Sequence, residues 1–311
     1  MRLRLVLGAL AVVAALSLAG CSSMGSLSMD PVDDAGLAKQ ASEATSGGDS
    51  VYEKVRQRTA RRVIRNSPVN LTGVEPPLST DLAYRRGGTF YNVSSEVVDT
   101  QPGVRTVVSF DYNGTAPNAS RVAFSDLSRA DRQAVKPYFT TPPRHIDDGP
   151  ERGTQVTYTE SERENSVLAD YEDDRVVVTY RGETVIVQVE DFDRVTLRTY
   201  RYTASLVAGS PAEYAAQLKR QYAFTLRNLN ESQRSVVKKA IGGTYYAESA
   251  DDAAFASLVE RFRSHEAVAS DEYSGSWVVR YRGRLFWAEM DYGGFVDETG
   301  DTVSPPSVTP H

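Results

Sequence analysis

Val177-Val178-Thr179-Tyr180-Arg181-Gly182 returns as Val278-Val279-Arg280-Tyr281-Arg282-Gly283, with Tyr180 and Tyr281 spaced by 101 residues. Upstream of each copy lies a second landmark. Asp126-Leu127-Ser128 returns as Asn228-Leu229-Asn230, Arg132 as Arg234, Val135 as Val237 and Lys136 as Lys238, all at a spacing of 102. Two ordered matches at nearly one period read as an internal duplication.

Each landmark has a local physical reading. Val176, Val178 and Tyr180 alternate on one face, Arg-Gly turns, and Thr184 to Val189 runs back. Trp277, Val279 and Tyr281, followed by Leu285 to Met290, repeat the pattern. Glycine supplies the positive φ of a tight hairpin, so both stretches predict antiparallel hairpins. The upstream landmarks predict helix starts. Ser128 and Asn230 suit the N-cap, and Asp131 and Gln233 stand where a capping-box partner belongs. Pro137 is expected to stop the first helix and Gly242-Gly243 the second.

This pattern predicts an α+β fold of two repeated helix-plus-antiparallel-hairpin units, one over 51–192 and one over 193–300. Phe90 to Val98, Val104 to Tyr112, Val156 to Thr159 and Val195 to Val207 read as further strands. Phe255, Leu258, Val259 and Phe262 mark an amphipathic helix. Residues 51–65 read as a helix with six basic side chains against Glu53. Its bland role is a solvated face whose Val51, Val55 and Val63 touch the domain; its alternative is contact with anionic lipid heads.

The N-terminus carries an address. Arg2 and Arg4 precede an apolar stretch to Leu18, too short to span a bilayer comfortably and of the size of a signal-peptide core. It ends in Leu18-Ala19-Gly20-Cys21. These four residues resemble the lipobox of prokaryotic lipoproteins. The resemblance implies removal of residues 1–20 as a signal peptide and lipid on the sulfur of Cys21, the chain's single cysteine. Residues 21–50, rich in Ser, Gly, Ala and Asp, read as a lipidated flexible tether. Residues 301–311 read as a disordered, proline-rich tail. The expected address is the outer, extracytoplasmic face of the cell membrane, anchored to it rather than through it.

Composition adds to this picture. Arginine supplies 29 of the 35 basic residues, and without residues 1–20 the formal charge is −8. Such an acidic chain argues against nucleic acid as a partner. Five of the eight asparagines stand in Asn-x-Ser/Thr sequons, although Ser and Thr make only 53 of 311 residues. Asn70, Asn92, Asn113 and Asn118 are therefore candidate N-glycosylation sites. Asn230 is set apart, because an N-cap occupies its amide. Composition and pattern together look like two-unit surface lipoproteins of haloarchaea, a resemblance that brings no catalytic residues with it.

No familiar chemistry emerges. His145, His265 and His311 are scattered, and lipidation of Cys21 leaves no thiol, so zinc and Cys-His catalysis find no support. Nucleophile-elbow, P-loop and dinucleotide signatures are missing from the sequence. Residues 144–174 hold ten acids against three arginines, with no EF-hand spacing, and read as a solvated acidic face rather than a metal site. No cofactor is implied. Arg132 with Tyr180, and Arg234 with Tyr281, form the one candidate ligand set: an arginine on a capped helix facing a tyrosine-bearing hairpin suits an anion. The alternative is that each arginine braces its own helix.

The expectation is a non-enzymatic, lipid-anchored surface protein, with the membrane and a cell-envelope protein as partners. The alternative is a lipoprotein binding a small solute or ion in a cleft between the two units.

Overall fold

The computed structural model describes residues 23–140, 149–169 and 175–296. The signal segment 1–20, Cys21, the tail 301–311, His145, His311 and the acids Asp147, Asp148, Asp170 and Glu172 to Asp174 lie outside the described residues.

In chain order the elements are β1 (Gly25–Pro31), α1 (Asp34–Gln40), β2 (Ser42–Ala44), α2 (Val51–Asn66), β3 (Val69–Gly73), β4 (Ala83–Arg86) and β5 (Thr89–Asp111). There follow β6 (Ser120–Ala123), α3 (Arg129–Thr140), β7 (Arg152–Thr159), α4 (Glu160–Arg163), β8 (Arg175–Tyr180) and β9 (Glu183–Ala208). The last are α5 (Pro211–Gln221), β10 (Phe224–Thr225), α6 (Glu231–Ile241), β11 (Thr244–Ala247), α7 (Ala253–Arg263), β12 (Ala269–Ser270), β13 (Ser274–Tyr281) and β14 (Arg284–Asp291). The chain divides into a split unit, Met1–Val32 with Tyr222–His311, and a continuous unit, Asp33–Gln221.

The split unit is built on a six-stranded sheet in the order β10-β13-β14-β1-β11, with β12 beside β13. β10 runs parallel to β13, and the neighbours from β13 to β11 are antiparallel. Leu27, Met29, Trp277, Val279, Phe286 and Met290 join one core with Val236 and Val237 of α6 and Phe255, Leu258, Val259 and Phe262 of α7. The two helical stripes have the period expected for faces lying on a sheet.

The continuous unit holds an eight-stranded sheet in the order β2-β4-β5-β9-β8-β6, with β3 beside β9 and β7 beside β5. One core packs Val135 and Phe139 of α3 on Val108, Phe110, Val176, Val178, Val185 and Val187. Another packs Ala60 and Val63 of α2 on Val69, Tyr84, Val93, Tyr200 and Tyr202.

This architecture corrects the expected fold class. The chain is mixed α/β, 43% strand against 29% helix, dominated by two large sheets rather than built from repeated helix-plus-hairpin units. The hairpins do form: Tyr180 pairs with Glu183 and Tyr281 with Arg284. Their turns place Arg181 and Gly182, and Arg282 and Gly283, at positive φ. Each hairpin, however, is one part of a sheet that recruits strands from elsewhere in the chain, because a two-stranded ribbon alone is marginal.

The expected boundaries change for the same reason. The 192/193 border falls inside β9, a 26-residue strand paired with β5 along its length. The expected gap between Val189 and Val195 is closed by pairing: Asp191, Phe192 and Asp193 stand opposite Val107, Thr106 and Arg105, and the register shifts only at Glu190, between Val107 and Val108 of the partner. The two stretches expected as Phe90 to Val98 and Val104 to Tyr112 are likewise a single strand, β5, which ends at Asp111. Pro137 does not stop α3 but lies inside it.

The largest correction concerns the tether. Of residues 21–50, Gly25 to Pro31 form β1, a strand between β14 and β11 with Leu27 and Met29 fully buried. α1 and β2 follow immediately. Only Leu27 and Met29 alternate among small polar residues here, too short a period-two signal to read from one strand.

Candidate functional site

α6 is placed by a reciprocal cap. Asn230 Oδ1 accepts from the Gln233 N–H at 2.8 Å, and Gln233 Oε1 accepts from the Asn230 N–H at 3.0 Å. Gln233 Nε2 also donates to Ser257 Oγ of α7 at 2.8 Å. With Val236, Val237 and Ala240 buried, helical geometry turns Glu231, Arg234, Ser235 and Lys238 outward. They meet the β13–β14 turn. The two-residue turn fixes its register, so Tyr281 stands opposite Arg284 and Val279 opposite Phe286.

Between helix and turn lies a cleft of about 490 Å³, lined by Glu231, Arg234, Ser235, Lys238, Ile241, Tyr281, Arg282, Arg284 and Phe286. Its aromatic surface is overlaid by cations. The Arg282 guanidinium is 5.3 Å from the Tyr281 ring centroid and that of Arg284 is 5.6 Å from the Phe286 centroid. Four cations therefore face one carboxylate, Glu231. Among the described residues none of these four cations forms an ion pair with a carboxylate. Arginine forks match carboxylate and phosphate oxygens in a bidentate way, and the apolar surface suits a flat or aliphatic body. The volume falls in the range of small-molecule sites.

The structure thus brings Arg234 and Tyr281 together in one cleft. It does not do so for their counterparts. Arg132 Nη1 donates to the carbonyl oxygens of Ser125 at 2.7 Å and Leu127 at 2.8 Å, bracing the approach to α3. Tyr180 is packed by Phe124 and Phe139, with ring centroids 4.6 Å and 5.6 Å away. Sequence reasoning missed Lys238, Arg284 and Phe286 as cleft residues. Lys238 is one helical turn beyond Arg234, and the hairpin register places Arg284 beside Tyr281.

A second cleft, about 480 Å³, is lined by Asp111 to Pro117, Arg121, Val177, Thr184 and Ile186 of the continuous unit. Burial pushes the Tyr112 hydroxyl up to about 12, so it stays neutral while donating to the Tyr138 carbonyl at 2.9 Å. Among the described residues that line it, Arg121 is the single cation. The sequon residues Asn113 and Asn118 are exposed beside it, whereas Asn70 and Asn92 are exposed on the paired strands β3 and β5.

Among the described residues no group of three or more His, Cys, Asp or Glu side chains converges as metal ligands. His265 stacks on Phe224 at 4.0 Å. On α2, Arg56 pairs with Glu43 and Arg61 donates to the Thr45 carbonyl, so two of its cations hold the unit together. Val55, expected to touch the domain, is exposed. No helix among the described residues is long and apolar enough to cross a membrane. Comparison with protein-family models, with curated proteins and with solved structures found no match.

Proposed function

We propose that this chain is a lipid-anchored extracytoplasmic binding protein whose split unit takes up a small organic anion between α6 and the β13–β14 turn. One observation carries the reading: Arg234, Lys238, Arg282 and Arg284 surround an aromatic and aliphatic surface with Glu231 as the single opposing carboxylate. Concentrating like charge raises the free energy of the empty cleft, and an anion relieves it. Among the described residues the lining offers one serine, one carboxylate and no histidine, a set that supports binding rather than turnover. The anchor rests on Leu18-Ala19-Gly20-Cys21.

The test is calorimetry on the Cys21→Ser protein against inorganic phosphate, aliphatic and aromatic carboxylates and sugar phosphates. Saturable binding is expected to weaken as salt rises. It is expected to fall at least about tenfold in Arg234→Gln/Arg284→Gln, a change of about 1.4 kcal/mol, and to persist in Arg132→Gln. A panel without saturable binding at millimolar concentration, or an unaffected double variant, refutes the cleft. The anchor is tested separately by the intact mass of the native protein beside Cys21→Ser, which loses both lipid mass and membrane partition.

A further inference from the structure

The split unit has almost no leash. The Met24 N–H donates to the Ala247 carbonyl at 2.8 Å, and the Met24 carbonyl accepts from the Gly294 N–H at 2.8 Å. Met24 is thus pinned on both sides, and only three residue steps separate it from Cys21. At about 3.5 Å per residue, three residue steps of chain can reach no further than about 11 Å. A lipid on Cys21 therefore holds the start of β1 at the bilayer.

That end of the sheet carries a set of exposed apolar side chains. Met24 is 43% exposed, Tyr246 59% and Tyr273 46%. They share one end by register: Ser26 pairs with Tyr246 on one side and Asp291 on the other, and Asp291 pairs with Ser274. Gly293 and Gly294 bring Tyr273 and Met24 close, since a Cβ at Gly293 would meet Tyr273 Cβ at 3.6 Å and one at Gly294 would meet Met24 Cβ at 2.7 Å. Tyrosine, with an apolar ring and a polar tip, suits the headgroup level of a bilayer. Asp271, Glu272 and Asp291 are exposed at the same end. Their charge opposes anionic head groups, so attraction between charges does not hold this face to the surface.

We infer that the Met24, Tyr246 and Tyr273 end of the split unit seats in the outer-leaflet interface of the bilayer that carries the lipid on Cys21. The inference rests on the lipidation proposed above. It also fixes where the cleft points. β13 runs from Ser274 at the seated end to Tyr281 at the cleft. At about 3.3 Å per residue the two ends lie about 23 Å apart. The seated end and the anion cleft are opposite ends of one sheet, so the ligand arrives from the side away from the membrane.

The test uses native, lipidated protein in vesicles of a zwitterionic phospholipid with some nitroxide-headgroup lipid. One fluorophore is placed by Glu272→Cys and another, in a separate variant, by Arg282→Cys. Intact mass confirms the lipid in each, and circular dichroism confirms the fold. Quenching at 272 is expected to exceed that at 282 by at least about threefold, and to hold as salt rises, because the seating on a zwitterionic surface is not electrostatic. Equal or reversed quenching with the lipid present overturns the seating and leaves the anchor standing. Absence of the lipid from the native protein overturns both.

Discussion

Asp131 is the most consequential single side chain whose role differs from expectation. It stands where a capping-box partner belongs, and Ser128 does cap, accepting from the Asp131 N–H at 3.1 Å. The carboxylate itself is fully buried and accepts from Tyr158 Oη at 2.9 Å, Ser166 Oγ at 2.6 Å and the Val167 N–H at 3.2 Å. Asp131→Ala leaves those donors unpaired. A loss of about 3 kcal/mol is expected in a denaturant titration followed by circular dichroism. Glu53 yields a pH prediction. The Ser50 N–H and hydroxyl and the Asp49 N–H all donate to its carboxylate, holding it below its ordinary value of 4.5. A depressed acid contributes stability above its unfolded value, and that contribution is lost as pH falls through the folded one. Wild type is expected to exceed Glu53→Gln in denaturation midpoint near pH ~6, with the gap closing toward pH ~3.

Among the elements, β1 and the hairpin turns show how differently local signals can speak. Gly283 at φ 76° and Gly182 at φ 87° are demanded by their turns, and the Arg-Gly pair announces both. Gly283→Val forces a β-branched residue into that region and is expected to cost about 1–2 kcal/mol in thermal or denaturant melts. β1 has no comparable announcement, because its burial is conferred by β11 and β14, more than 200 residues away in sequence. Leu27→Ala separates the two readings. Tether residues tolerate such a change, whereas a central strand loses about 3 kcal/mol. Trp277 and Trp287, the chain's two tryptophans, both lie in β13 and β14. Their emission in a denaturant titration therefore reports this unit directly.

For the whole molecule, the division into units bears on modification. Asn113 and Asn118 lie in the connection between β5 and β6, whereas Asn70 and Asn92 lie on paired strands. Asn230 is occupied as an N-cap. If the chain is exported as proposed, glycopeptide mass spectrometry of native protein is expected to find glycan on Asn113 and Asn118 and none on Asn230. The Asn230 side chain is held at the start of α6 by the Gln233 N–H and the Ser232 hydroxyl on its Oδ1, so glycan found on its Nδ2 would show that this cap does not protect it.

Caps, turns, helical stripes and two of the nine residues lining the cleft were legible in the sequence. Asn230 with Gln233, the Arg-Gly turns, the α7 stripe and the pairing of Arg234 with Tyr281 all depend on residues close together in the chain or on a repeated pattern. Sheet membership was not legible. Whether Ser-Leu-Ser-Met is tether or core strand depends on distant β14 and β11, and whether Tyr180 lines a cleft or joins a packed cluster depends on Phe124 and Phe139, which close around it. Short-range backbone geometry is encoded by a few adjacent side chains, whereas burial is a property of what folds onto a segment. Only the tertiary structure supplies that partner.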